Sequence, residues 1–172
     1  VSADLKLIDD ALLHGLSERA AGTARRRVNH NLHPALGDPV QRLCNAFEPG
    51  TYVRPHRHTQ AGRWELFLAL IGRAAVLVFD GDGRVQRRVV LDAGGPVRGV
   101  ELSAGTWHTV VSLDPGTVLF EVKPGPYEAL TDKDFAPWAP AEGEAAAARF
   151  ETWYRSAAPG ECPPSDQLNS KA

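Results

Sequence analysis

Residues 50–72 constrain this chain more than any other part of it. They read Gly50-Thr-Tyr-Val-Arg-Pro-His56-Arg-His58, then six residues to Glu65, and close at Gly72. With 51–58 as a strand, side chains alternate faces, so His56 and His58 point the same way. The 59–62 stretch carries a glycine and can turn the chain back, which brings Glu65 beside the two imidazoles at the head of an apolar run. A third imidazole, His108, follows a second glycine-marked turn, Ser103-Ala-Gly105-Thr-Trp-His108, and leads a β-branched run. Three imidazole nitrogens and one carboxylate form a donor set for one divalent transition metal, with Fe2+, Zn2+, Mn2+ and Ni2+ all compatible. A lone His-x-His is more often structural. The glycines, the carboxylate and the distant third histidine favour a metal site at His56, His58, Glu65 and His108.

The rest of the chain reads as short strands punctuated by turns. Candidate strands fall at 40–47, 51–58, in two apolar runs across 66–80, and at 84–91, 97–102, 110–113 and 117–123. Between them stand Pro49-Gly50, Asp80-Gly-Asp-Gly83, the 92–95 turn and Asp114-Pro-Gly116. That spacing predicts an all-β jelly roll or barrel. Residues 3–21 place Leu5, Ile8, Leu12, Leu13 and Leu16 at helical spacing, with Ser2 as cap and Gly22 at the end. Residues 142–156 predict an alanine-rich helix carrying Phe150, Trp153 and Tyr154. Residues 131–140 should run over the barrel, pinned by Phe135 and Trp138, and 157–172 should be a flexible tail. At 172 residues the chain suits one well-buried domain. The expected division is a helical segment at 1–26, the barrel at 27–135 and a C-terminal extension at 136–172.

Period two puts Tyr52 and Arg54 on the face of the histidines, where a buried arginine needs a partner. Glu121 or an anionic substrate would serve; otherwise Arg54 sits at the barrel mouth in water. Glu121 and Lys123 share one face of the last core strand, and Val118, Phe120 and Val122 share the other. Alternation does not say which face lines the pocket. Tyr52, Glu121 and Lys123 are the candidate catalytic residues for moving protons, and Arg54 and Arg57 the candidate substrate-binding ones. Tyr127 is a further acid–base candidate, with plain packing as the alternative for both tyrosines. Residues 28–34 read as a polar loop in which His30 and His33 are local hydrogen-bonders or ligand contacts. Arg25, Arg26 and Arg27 read as a solvated turn or an anion site.

A net charge of −2 gives no electrostatic case for nucleic acid or anionic membrane as a partner, and no apolar run approaches a membrane span. The phosphate-binding loops of nucleotide proteins and a nucleophile-elbow serine are missing. Cys44 and Cys162 form no metal or redox pattern, and the first residues lack the order of a signal peptide, so a cytoplasmic protein with free thiols is expected.

Gly50, His56, His58, Glu65 and Gly72, followed by Gly105 and His108, resemble the paired motifs of the cupin superfamily, with Ser103 and Ser112 where those motifs carry proline and asparagine. Arg54-Pro-His-Arg-His58, Val78-Phe-Asp80, Trp107-His-Thr-Val110, Phe120-Glu-Val-Lys-Pro-Gly-Pro-Tyr127 and Asp132-Lys-Asp-Phe-Ala-Pro-Trp-Ala-Pro140 together resemble the WbuC family of RmlC-like cupin metalloproteins. The resemblance spans about residues 27–142. It implies a cupin jelly-roll β-barrel (double-stranded β-helix) with an N-terminal helix and a C-terminal helical extension. It also implies a bacterial homodimer and a setting in O-antigen, lipopolysaccharide or other surface-polysaccharide synthesis. The resemblance implies no particular reaction; the expected ligand is a small molecule such as a sugar or nucleotide-sugar, handled by metal-assisted isomerisation or related chemistry. A non-heme iron dioxygenase of a small metabolite and a non-catalytic ligand-binding cupin remain the alternatives.

Overall fold

The structure, a computed structural model, describes residues 5–164. Its elements are α1 (Asp10–Ala21), β1 (Arg27–Asn31), β2 (Val40–Phe47), β3 (Glu65–Ile71), β4 (Arg73–Phe79), β5 (Val85–Asp92), β6 (Gly99–Leu102), β7 (Trp107–Ser112), β8 (Thr117–Pro124) and α2 (Ala147–Ser156). All strand pairs are antiparallel. One sheet has the order β1-β2-β8-β3-β6 and the other β5-β4-β7. Their inner faces meet over Phe47, Phe67, Ala69, Val76, Leu91, Val110 and Leu119. This is the expected all-β jelly roll, with a helix packed on the back of each sheet. On the outer face of the larger sheet, Leu13, Leu16 and Ala20 of α1 bury Cys44, Ala46 and Val118. On the outer face of the smaller sheet, Phe150 and Tyr154 of α2 pack on Leu77, Phe79, Val85 and Val111. A fully buried leucine or phenylalanine contributes about 1.5–3 kcal/mol, so each helix is fastened chiefly by two or three such side chains.

Several boundaries differ from the sequence reading. Helix α1 begins at Asp10, because Asp9 caps it by accepting from Leu12 N at 2.9 Å. Leu5 and Leu7 lie before the helix and are exposed; the expected Ser2 cap lies outside the described residues. Residues 28–31, read as loop, are strand: β1 pairs with β2 from Arg27↔Phe47 to Asn31↔Leu43. Helix α2 is shorter than expected, since 141–146 form turns closed by Glu144 N to Ala141 O and Ala147 N to Glu144 O. The tail, as far as residue 164, is not loose. Gly160 N donates to Val85 O and Val85 N to Glu161 O, which pairs this piece with the edge of β5; residues 165–172 lie outside the described residues.

The largest correction concerns 51–58, which forms no regular strand. Only His56 is ladder-paired, with His108 on one side and Phe135 on the other. Arg57 N donates to Asp134 O and Ala136 N to Pro55 O, so the segment is held between β7 and the 134–136 stretch. Pro55 has no N–H to give a ladder. Strict alternation therefore does not extend from Tyr52 to His58.

Candidate metal centre

One strand of each sheet and the irregular 51–58 segment bring four side chains together. His56 and His58 come from the segment beside β7, His108 from β7 itself, and Glu65 from the first residue of β3. One ligand atom from each lies within 4.8 Å of the other three. Glu65 and His108 are 3% and 2% exposed. Glu65 Oε2 stands 3.0 Å from His108 Nε2 and 3.4 Å from His58 Nε2. These three buried atoms have no aligned hydrogen bond, a costly arrangement unless another group satisfies them. A divalent cation held by His58, His108 and Glu65 would satisfy all three at once.

The far sides of the rings are pinned. His56 Nδ1 lies 3.0 Å from Arg54 O and His108 Nδ1 2.9 Å from Thr106 O. An Nδ1–H donated to each carbonyl leaves each Nε2 with its lone pair for a metal. Burial, with the nearby His108, pushes His56 down to about 3, so its imidazole is neutral at ordinary pH, as a metal ligand would need to be. Burial disfavours the His108 cation, but the facing Glu65 carboxylate outweighs it and raises the group. Burial likewise opposes ionisation of Glu65, yet His108, His58 and Lys123 together hold its carboxyl well below the usual range. The donor set fits a divalent metal.

Glu121 and Lys123 face inward, which settles the alternation of β8; Val118 and Phe120 are packed under the α1 side. Lys123 Nζ lies 3.0 Å from Glu65 Oε1 and 2.5 Å from Glu121 Oε1, and Glu121 Oε2 accepts from Asn45 Nδ2. Burial and the Glu65 charge push Glu121 up to about 7, against the opposing pull of Lys123. Burial would lower the Lys123 pKa, but its two carboxylates raise it.

The other sequence candidates point elsewhere. Tyr52 donates its hydroxyl to Pro140 O at 2.8 Å and stacks on Tyr154, 6.0 Å between centroids. Burial pushes it up to about 12. Arg54 donates to Ala139 O and Ala136 O and lies over the Phe135 ring. Its hydrogen-bond partners are backbone carbonyls rather than Glu121. Arg57 stacks on Trp107, with 4.3 Å from its guanidinium carbon to the ring centroid. Arg25 and Arg27 both clasp Glu142, and His33 Nδ1 accepts from Arg42 N.

A cleft of about 140 Å3 opens on His56, His58 and Lys123, with Gln41, Trp64 and Tyr127 among its walls. Across Gln41, Lys123 and Tyr127 it adjoins a cavity of about 300 Å3 that Asn29, Asn31 and His33 help to line. Gln41 and Asn45 were not singled out from sequence, although a signal existed. They are the polar breaks on one face of β2, Gln41 in register with β8 at Gln41↔Lys123 and Asn45 two residue pairs beyond Leu43↔Glu121.

No curated protein matches the chain in sequence. The family model of a domain of unknown function, DUF6016, matches residues 8–91, just under half of the chain. Among solved structures, a recombinant oxalate oxidase in complex with glycolate is 16% identical with a TM-score of 0.50, over 63% of this chain and 56% of that one. A cupin superfamily protein from Desulfitobacterium hafniense is 17% identical with a TM-score of 0.45, over 57% of this chain and 76% of that one. KdgF from Halomonas sp. is 18% identical with a TM-score of 0.44, over 59% and 82%. Among the described residues no helix is long and apolar enough to cross a membrane. Two packed antiparallel sheets, the strand order and the structural likeness give this chain the cupin fold, with a His3Glu group at its centre that could hold a metal.

Proposed function

We propose that this protein is a metal-dependent cupin acting on a small sugar-like molecule. The observation that carries the reading is the convergence of His58 Nε2, His108 Nε2 and Glu65 Oε2, buried and without aligned partners, beside a cleft walled by His56. A bound divalent ion would supply Lewis-acid polarisation of a ligand carbonyl or hydroxyl. The chain's own groups would do the rest. Gln41 and Tyr127 line both cavities and offer hydrogen bonds to hydroxyls, and Asn29 and Asn31 extend that polar wall. Amides and an aromatic ring suit a neutral polyol.

The charges favour a free sugar over a nucleotide-linked one. Lys123 is engaged by Glu65 and Glu121, and Arg63 by Glu128 and the carbonyls of Pro124 and Pro126. Arg54 and Arg57 turn to Phe135 and Trp107. A diphosphate would find each of these cations already engaged, which weakens the candidacy of Arg54 and Arg57 for binding one. Isomerisation of a sugar intermediate in surface-polysaccharide synthesis is the reaction we favour; that setting rests on the motif resemblance to the WbuC family. A cytoplasmic homodimer belongs to the same proposal. The half-buried Leu66 and Val122, paired across β3 and β8 on the sheet's outer face, support a partner there, and sedimentation would test it.

The test is elemental analysis of protein purified anaerobically without added metal, beside His108→Ala. Near-stoichiometric zinc or manganese, lost in the variant, supports the reading and directs a sugar-isomer screen. Iron lost in the same way favours oxygen chemistry and an oxygen-consumption screen. No metal in either protein refutes the proposal.

A further inference from the structure

The two oxygens of Glu65 have different surroundings. Oε2 faces the imidazoles, 3.0 Å from His108 Nε2 and 3.4 Å from His58 Nε2. Oε1 accepts from Lys123 Nζ at 3.0 Å. Lys123 is itself fixed, because its ammonium also touches Glu121 Oε1, and Glu121 Oε2 is held by Asn45. The strand ladder sets this row. Glu121 lies opposite Leu43 of β2 and Phe67 of β3, which puts Asn45 and Glu65 each two residues from a direct partner on the same inward face.

A carboxylate with both oxygens free can bind a cation through one or both. A carboxylate with one oxygen committed to a fixed ammonium has one to offer. We infer that Lys123 is a positioning residue that holds Glu65 to coordination through Oε2 alone, with Glu121 and Asn45 keeping Lys123 in place. The inference rests on the metal reading above. Its consequence is a coordination position kept open. With three imidazoles and one carboxylate oxygen, a six-coordinate ion retains about two positions for ligand or water, and a two-oxygen Glu65 would take one of them. The same contacts explain a lysine in a wall that offers the ligand no free cation.

The experiment loads the protein with saturating Mn2+ and counts exchangeable waters on the ion by water-proton relaxation and by electron–nuclear double resonance in 17O water. About two waters are expected in the wild type, about one in Lys123→Met, and about two again in Lys123→Arg, which restores a cationic donor. A wild type with one exchangeable water, or a Lys123→Met variant that binds Mn2+ with two, overturns the assignment. A wild type that takes up no Mn2+ overturns the metal reading itself, which keeps the two failures apart. Because Lys123→Met leaves two buried carboxylates without their cation, it is the variant at risk of not folding. The wild-type count needs no variant, and a single exchangeable water there overturns the assignment even in that case.

Discussion

Gly72→Ala should cost far more than Gly105→Ala, although both glycines mark motif turns and both sit in the left-handed region. Their φ angles are +66° and +80°. An added Cβ raises the energy of that conformation by about 1–2 kcal/mol, and the lost freedom of the unfolded chain returns about 0.4–1 kcal/mol. Gly105 has open space where its Cβ would sit, so its net cost is about 0.5–1 kcal/mol. At Gly72 the new Cβ would lie 2.8 Å from Thr117 Oγ1 and 3.3 Å from Thr117 Cα. That threonine is fully buried, and its hydroxyl donates to Asp114 O at 2.7 Å and lies 3.0 Å from Arg73 O. It cannot swing away without giving up those contacts. Overpacking of this kind adds about 1–3 kcal/mol, for a total near 2–4 kcal/mol. For a chain of this length that is a fall in Tm of roughly 4–16 °C, against about 1–4 °C for Gly105→Ala. Urea unfolding of both variants, read as midpoint at constant slope, measures the difference. Equal losses would show that Thr117 yields freely and that the close approach of β8 to this turn is not what demands glycine.

Further outcomes follow from the site and its surroundings. A divalent metal at about one hundred times its Kd should add about 2.7 kcal/mol of stability, a rise in Tm of roughly 5–11 °C at this chain length. His108→Ala should lose that rise while the metal-free melting changes independently, and an unaltered rise would remove His108 from the ligand set. Arg54→Ala gives up two charged hydrogen bonds and the contact over Phe135, so stability should fall by about 1–3 kcal/mol with metal content unchanged; a loss of metal would show Arg54 acting at the centre. The hydrogen bond from Arg25 holds the Glu142 carboxyl below its ordinary value, helped by Arg27 and opposed by burial. A depressed carboxylate contributes stability above its unfolded value and loses it as pH falls through the folded one. Glu142→Gln should therefore be less stable than the wild type at neutral pH, with the gap closing as pH falls through the folded-state titration of the carboxyl; a gap independent of pH would mean that charge plays no part in the clasp.

The four candidate ligands were legible because their chemistry and spacing survive any detail of folding. Two imidazoles two residues apart, a carboxylate after a turn and a third imidazole after another turn need only a jelly roll to meet. The strands were legible too, since apolar runs and glycine- or proline-marked turns alternate along the chain. Residues 28–31 were misread because β1 lies at the edge of its sheet, where Asn29 and Asn31 line an open cavity and no alternating apolar pattern is needed. The tail to residue 164 was misread because its hold on β5 is made by backbone groups, which composition does not reveal.

What the sequence determined by itself was the fold class and the donor set, both fixed by local periodicity and residue chemistry. Direction was left to tertiary structure. Period two says that Glu121 and Lys123 look the same way, but only α1 covering the opposite face of β8 turns them inward. The same rule put Tyr52 and Arg54 with the histidines, and it failed because 51–58 is held between β7 and residues 134–136 with no continuous ladder of its own. Alternation is enforced by a ladder of neighbouring strands. Where long-range contacts replace that ladder, they decide where each side chain points.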